Sequence, residues 1–280
     1  MIRRDIRSSD GLMLAGYESG IPQGPEILFI HGFSQCSLAW GKQFSSKALA
    51  SEFRLVAFDI RGHGASEKPI DPTRYADDTQ FSDDVHGVME AFNLRRPVLV
   101  GWSYAGRIVS DYVTAHGTKC IAGINYVCAR TKDDVAYNGP GTDLLGGMIH
   151  NDLATNIRAT RGFIRACYEK QPNPEDFETA LAYNMLVPPG IRRAHLSRPA
   201  SDGSILAKLD VPVLVTQGSE DKLVLKGLGE FTAAVIPGAR LSMYEAVGHS
   251  PFVEDAPRFN RELAGFVRHA QTRRGVVTAA

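Results

Sequence analysis

The chain has 280 residues, enough for one large domain or for a core domain carrying an insertion. Apolar residues make up 44% of it, which supports a substantial core and argues against wholesale disorder. Its 31 basic and 31 acidic residues cancel, so no electrostatic footprint points to nucleic acid or to an anionic membrane surface.

The first segments, IRRDIRS and LMLAGYES, read as a hairpin that adds antiparallel strands at one edge of a sheet. The charged start MIRRDIRSSDG leaves no apolar stretch of signal-peptide type. No later run approaches the roughly 18 apolar residues that span a bilayer. The expectation is a cytoplasmic protein with no membrane partner, compatible with a monomer or a homo-oligomer. Short runs rich in Val, Ile and Phe follow at 26–30, 54–60, 97–102, 121–127 and 211–218. Their near-continuous apolarity predicts strands of a mostly parallel sheet covered on both faces. Helical spacing occurs at 80–93, where Phe81, Val85, Val88, Met89 and Phe92 share a face, and again at 104–116, while Asp255 two positions before Pro257 marks a helix start for 255–269. Strands alternating with helices define an α/β class with a doubly wound sheet.

The alternation fails over 129–205, which predicts a helical cap inserted into a core made of 1–128 and 206–280. One helix is expected over 152–169, with Leu153, Ile157, Ile164 and Tyr168 on its apolar stripe. A second starts at Pro174 behind Asn173 as cap and stops at VPPG, 187–190. Such an insertion is expected to cover the sheet's carboxyl edge, where ligands bind in these folds. The tail after His269 is expected to fray. Cys36, Cys120, Cys128 and Cys167 show no C-x-x-C pairing, so neither a zinc site nor a disulfide framework is expected.

The chemistry centres on GWSYAG, 101–106, which joins a predicted strand to a predicted helix with Ser103 at the turn. A serine hydroxyl there becomes a nucleophile when a base and an orienting carboxylate are supplied. The base candidate is His249, in the loop VGHSPF. The acid candidate is Asp221, just past the 211–218 strand, with Glu220, Asp133 and Asp134 as competitors. Ala105 stands where G-x-S-x-G has its second glycine, with Gly106 next. The residue after the nucleophile, Tyr104, offers a backbone N–H to an oxyanion. A second donor is expected from the loop HGFSQCSLAW, at Phe33. Trp102 and Cys36 are candidates for the substrate pocket, whereas His31 and Trp40 read as structural.

HGF at 31–33, DIRGHGAS at 59–66, GWSYAG, GSED at 218–221 and GHSPFVEDAPRF at 248–259 together resemble the α/β-hydrolase fold superfamily. Within it they are similar to lid-bearing esterases and cofactor-free haloperoxidase-like serine hydrolases. The order Ser103, Asp221, His249 is the one that superfamily uses. The resemblance implies a Ser–His–Asp triad, an acyl-enzyme, no cofactor, and structural roles for Arg61 and His63. The expected function is hydrolysis of a small, fairly apolar carboxylic ester or lactone. Serine at 103 excludes the haloalkane dehalogenase and epoxide hydrolase chemistries, which need an aspartate nucleophile. Carbon–carbon bond hydrolysis, cofactor-free oxygenation, perhydrolysis and a ligand-binding receptor with little turnover are the rival readings.

Overall fold

The computed structural model describes residues 2–272. Its sheet contains β1 (Ile2–Arg7), β2 (Met13–Gly20), β3 (Glu26–Ile30), β4 (Arg54–Phe58), β5 (Val98–Trp102), β6 (Gly123–Val127), β7 (Val213–Gly218) and β8 (Arg240–Tyr244). Their order is β1-β2-β4-β3-β5-β6-β7-β8. β1 pairs antiparallel with β2, and β2 with β4; the other pairs are parallel. Every residue of β5, β6 and β7 is buried, as continuous apolar strands require. β1 is the exposed edge, and its Arg3, Arg4, Asp5 and Arg7 discourage further strand pairing there.

Successive strand residues point to opposite faces, and two apolar layers result. Leu28, Ile30, Val56, Phe58 and Leu99 join one layer. Ile27, Phe29, Leu55, Ala57, Val98 and Val100 join the other. The first layer receives α1 (Asp78–Ala91), capped by Asp77, and α2 (Ala105–His116). Phe81, Val85, Val88 and Met89 are buried from α1, followed by Phe92. The helix α7 (Ala256–Thr272) closes the second layer with Phe259, Leu263 and Phe266. It extends past His269 to Thr272; the rest of the tail expected to fray, 273–280, lies outside the described residues. No described helix is long and apolar enough to cross a membrane.

Between β6 and β7 the chain forms α3 (Leu153–Ala166), α4 (Pro174–Met185) and α5 (Pro189–Leu196). Asn173 caps α4 by accepting from the Asp176 N–H. α5 is absent from the sequence reading, because VPPG reads as a stop. It is also a start: Pro189 occupies the first turn, where its missing N–H costs nothing. The predicted stripe of α3 holds only in part: Ile164 and, just past the helix end, Tyr168 are buried. Leu153 is 65% exposed, and the buried face is Asn156, Ala159, Thr160, Phe163 and Ile164. Polar Asn156 and Thr160 turn inward because a buried arginine, Arg192, hydrogen-bonds to both. After β7 the helix α6 (Lys226–Val235) precedes β8.

The DIRGHGAS loop is held by Arg61, whose side chain is fully buried. Its Nε and Nη2 each lie 2.7 Å from a carboxylate oxygen of Asp84, and its Nη1 lies 3.0 Å from Asp10 and donates to the Arg74 carbonyl. Removing one member of a buried pair strands the other charge. Arg61→Met is therefore expected to lower stability by about 3–5 kcal/mol, read as a shifted urea midpoint. A midpoint unchanged within error would show that the pair does not hold the loop.

Candidate active site

The parallel strands present their carboxyl ends on one edge of the sheet, and the candidate residues follow β3, β5, β7 and β8 there. Ser103 forms the turn between β5 and α2 with φ of +57°. A non-glycine residue in that region carries strain of roughly 1–3 kcal/mol, and the surroundings hold it in place. Its N–H donates to the Val127 carbonyl, and its carbonyl accepts from the N–H groups of Gly106 and Arg130, all at 2.9 Å. The glycine stands one place later than in G-x-S-x-G, and packing requires it there. A Cβ at Gly106 would lie 2.7 Å from that of Ala129, whereas Ala105 is accommodated fully buried.

His249 and Asp221 are both buried. His249 Nδ1 lies 2.7 Å from Asp221 Oδ2. Asp221 Oδ1 accepts from the N–H groups of Leu223 at 2.8 Å and Val224 at 2.9 Å, and Gln217 Nε2 donates to Oδ2 at 3.1 Å. A carboxylate surrounded by donors accepts the Nδ1–H hydrogen bond of the imidazole, which leaves Nε2 with the free lone pair. The other acids stand elsewhere. Glu220 is exposed beside Ser219. Asp133 accepts from the Ser201 N–H and lies 3.6 Å from Arg107. Asp134 caps a turn through the Ala136 N–H.

Trp102 does not line the cavity at Ser103, contrary to the sequence expectation. It is buried in the second apolar layer with Trp40 and Phe252. Its indole N–H donates to the His249 carbonyl at 2.8 Å, so the residue before Ser103 ties the histidine loop to the serine turn. Cys36 is likewise absent from the cavity wall. Burial, followed by the nearby Asp59, pushes its thiol up to about 12, which suppresses thiolate chemistry.

The cavity beside Ser103 measures about 80 Å³. Phe33 and Tyr104 face it, joined by Leu145, Phe163, Leu196 and Leu223, with Arg130 as a charged neighbour. Sequence reasoning missed Leu145, Phe163 and Leu196, which come from the stretch between β6 and β7 and carry no motif. Among the described residues, neither the Phe33 nor the Tyr104 backbone N–H has a hydrogen-bond acceptor. The Phe33 loop comes this close because position 32 is glycine: a Cβ there would lie 3.1 Å from Ser103 Cβ. His31 fixes the loop, donating from Nδ1 to the Gly32 carbonyl and accepting at Nε2 from the Ile60 N–H. Burial lowers its pKa and keeps it neutral.

Among the described residues, Cys128, Asp221 and His249 bring donor atoms within 4.8 Å of one another, close enough to consider a cation. Burial and the adjacent Asp221 raise the Cys128 thiol well above its usual range, so a neutral S–H faces a carboxylate already bonded to imidazole. That donor set suits an acid–base pair better than a metal centre.

A mostly parallel eight-stranded sheet with a strained serine turn and an Asp–His pair at its carboxyl edge defines an α/β-hydrolase. The model of the alpha/beta hydrolase family matches residues 27–262, and the chain belongs to that family. Among solved structures, it is similar to a candidate aryl esterase from Burkholderia cenocepacia. The two are 35% identical with a TM-score of 0.93, over 97% of this chain and 100% of the other. Esterase RhEst1 from Rhodococcus sp. ECU1013 is 32% identical with a TM-score of 0.90, over 96% and 99%. The non-heme chloroperoxidase CPO-A1 of Kitasatospora aureofaciens is 28% identical over 259 residues, which are 88% of this chain and 93% of that protein.

Proposed function

We propose that the protein is a serine hydrolase that cleaves a small, fairly apolar carboxylic ester or lactone through an acyl-enzyme. The observation that carries this reading is the Asp221–His249 bond at 2.7 Å, tied through Trp102 to the strained turn that presents Ser103. In the reaction, His249 Nε2 takes the Ser103 proton as Oγ attacks the carbonyl carbon. Asp221 holds the imidazole and stabilises its charged form. The free N–H groups of Phe33 and Tyr104 bind the tetrahedral oxyanion. Collapse expels the alcohol, which takes its proton from His249. Water, deprotonated by the same nitrogen, then releases the acid.

Residues 129–205 act as a lid in this reading, supported by the contribution of Leu145, Phe163 and Leu196 to the wall. The apolar wall and modest volume favour a short acyl group. The bifunctional esterase/perhydrolase DCH of Acinetobacter calcoaceticus, 25% identical over 94% of this chain and 99% of that protein, supports a second reaction, in which hydrogen peroxide replaces water at the acyl-enzyme and yields a peracid. A panel of p-nitrophenyl esters from acetate to dodecanoate, with and without peroxide, tests both. Turnover is expected to peak at short chains and fall at least tenfold by dodecanoate. A preference for the longest chain would contradict the assigned acyl site.

A further inference from the structure

The residue after Phe33 is held in an unusual way. Ser34 is fully buried and takes φ of +62°. Its N–H donates to His63 Nε2 at 3.0 Å, and His63 in turn donates from Nδ1 to the Arg61 carbonyl. From the opposite side, Arg192 Nε donates to Ser34 Oγ at 3.0 Å, and the Ser34 hydroxyl faces the Asn184 carbonyl at 3.5 Å.

Arg192 lies on α5, and its side chain is among the largest fully buried ones. Among the described residues, the acceptors on its guanidinium are all neutral: Ser34 Oγ, the Met148 carbonyl at 2.9 Å, Asn156 Oδ1 at 2.9 Å, Thr160 Oγ1 at 3.2 Å and the Asn184 carbonyl. Burial alone lowers its pKa, to about 10. A buried cation without a carboxylate is costly unless its hydrogen bonds are filled. Here α3, α4 and the turn at Met148 fill them, and Ser34 is the acceptor that lies outside the inserted segment.

We propose that Arg192 is a positioning residue that sets the Phe33 N–H through Ser34, so that the inserted helices complete the oxyanion hole instead of merely covering it. The clamp works from two sides. His63 fixes the Ser34 backbone from the core, and Arg192 fixes its side chain from α5. Undocking α5 would release Ser34 Oγ and let a strained φ relax, moving the preceding amide. This inference rests on the serine-hydrolase reading above.

The test compares wild type, Ser34→Ala, Arg192→Lys and the double variant in steady-state kinetics and in inhibition by a trifluoromethyl ketone. That inhibitor forms a tetrahedral adduct with the serine. Ser34→Ala is expected to lower kcat about 10- to 100-fold with KM within about twofold. The ketone's inhibition constant should rise by the same factor as kcat/KM falls, which a merely structural role would not produce. In the double variant kcat should fall little further than in Ser34→Ala, because both changes cut one link. If Arg192→Lys does not fold, Ser34→Ala alone decides. Unchanged kcat and unchanged inhibition in Ser34→Ala would overturn the inference, as would fully additive effects. A ketone that fails to inhibit wild type would instead overturn the acyl-enzyme reading itself.

Discussion

Ser103→Ala is expected to reduce ester hydrolysis by about 10⁵- to 10⁶-fold, with the loss in kcat. The loss follows from the proposed division of labour. Without Oγ no acyl-enzyme forms, and Phe33 and Tyr104 can assist only direct attack by water. The same position stores strain, because Ser103 holds φ of +57°. Ser103→Gly removes both the hydroxyl and the strain, since glycine populates that region freely. It should therefore be inactive and more stable than wild type by about 1 kcal/mol, seen as a raised melting temperature. Ser103→Ala keeps the strain and should gain little. An inactive but destabilised glycine variant would show that the turn is not held against its own preference.

Asp221→Asn is expected to lower kcat by about 10⁴-fold with little change in KM. The argument rests on counting donors. Oδ1 receives the N–H groups of Leu223 and Val224, while Oδ2 receives His249 Nδ1 and Gln217 Nε2. A carboxylate satisfies all four, but an amide has a single acceptor oxygen. If that oxygen stays with the two backbone N–H groups, the amide N–H₂ faces the imidazole. Nδ1 must then accept, the proton moves to Nε2, and the base can no longer take the Ser103 proton. Asp133→Asn and Asp134→Asn should each stay within about threefold of wild type, because one is held by Ser201 and arginines and the other caps a turn. A 10⁴-fold loss at Asp133 instead would place the orienting acid after β6.

Much of this arrangement is legible before any coordinates. Continuous apolar runs bounded by turn residues mark β3 to β7, and chemistry-bearing residues placed just after them must share one edge of a parallel sheet. The pairing of Asp221 with His249 is likewise visible as an order of residues, although Glu220 is its immediate neighbour and sequence alone does not separate the two. The helices between β6 and β7 are harder to read. Periodicity in α3 follows Leu153 and Ile157, yet the buried face carries Asn156 and Thr160, because a guanidinium from α5 takes its acceptors there. α5 itself hides behind a Pro-Pro-Gly that ends one helix and begins the next. Trp102 illustrates a further limit. Its neighbours place it at the site, but its side chain points to the opposite face of the sheet, and its role passes through one indole N–H.

The central claim is that Ser103 is the nucleophile, and covalent trapping reads it most directly. Wild-type protein treated with a fluorophosphonate should gain one adduct by intact mass, and peptide mapping should place it on Ser103, with no adduct on Ser103→Ala. Labelling at another residue, or an unlabelled protein that still hydrolyses esters, would contradict the account.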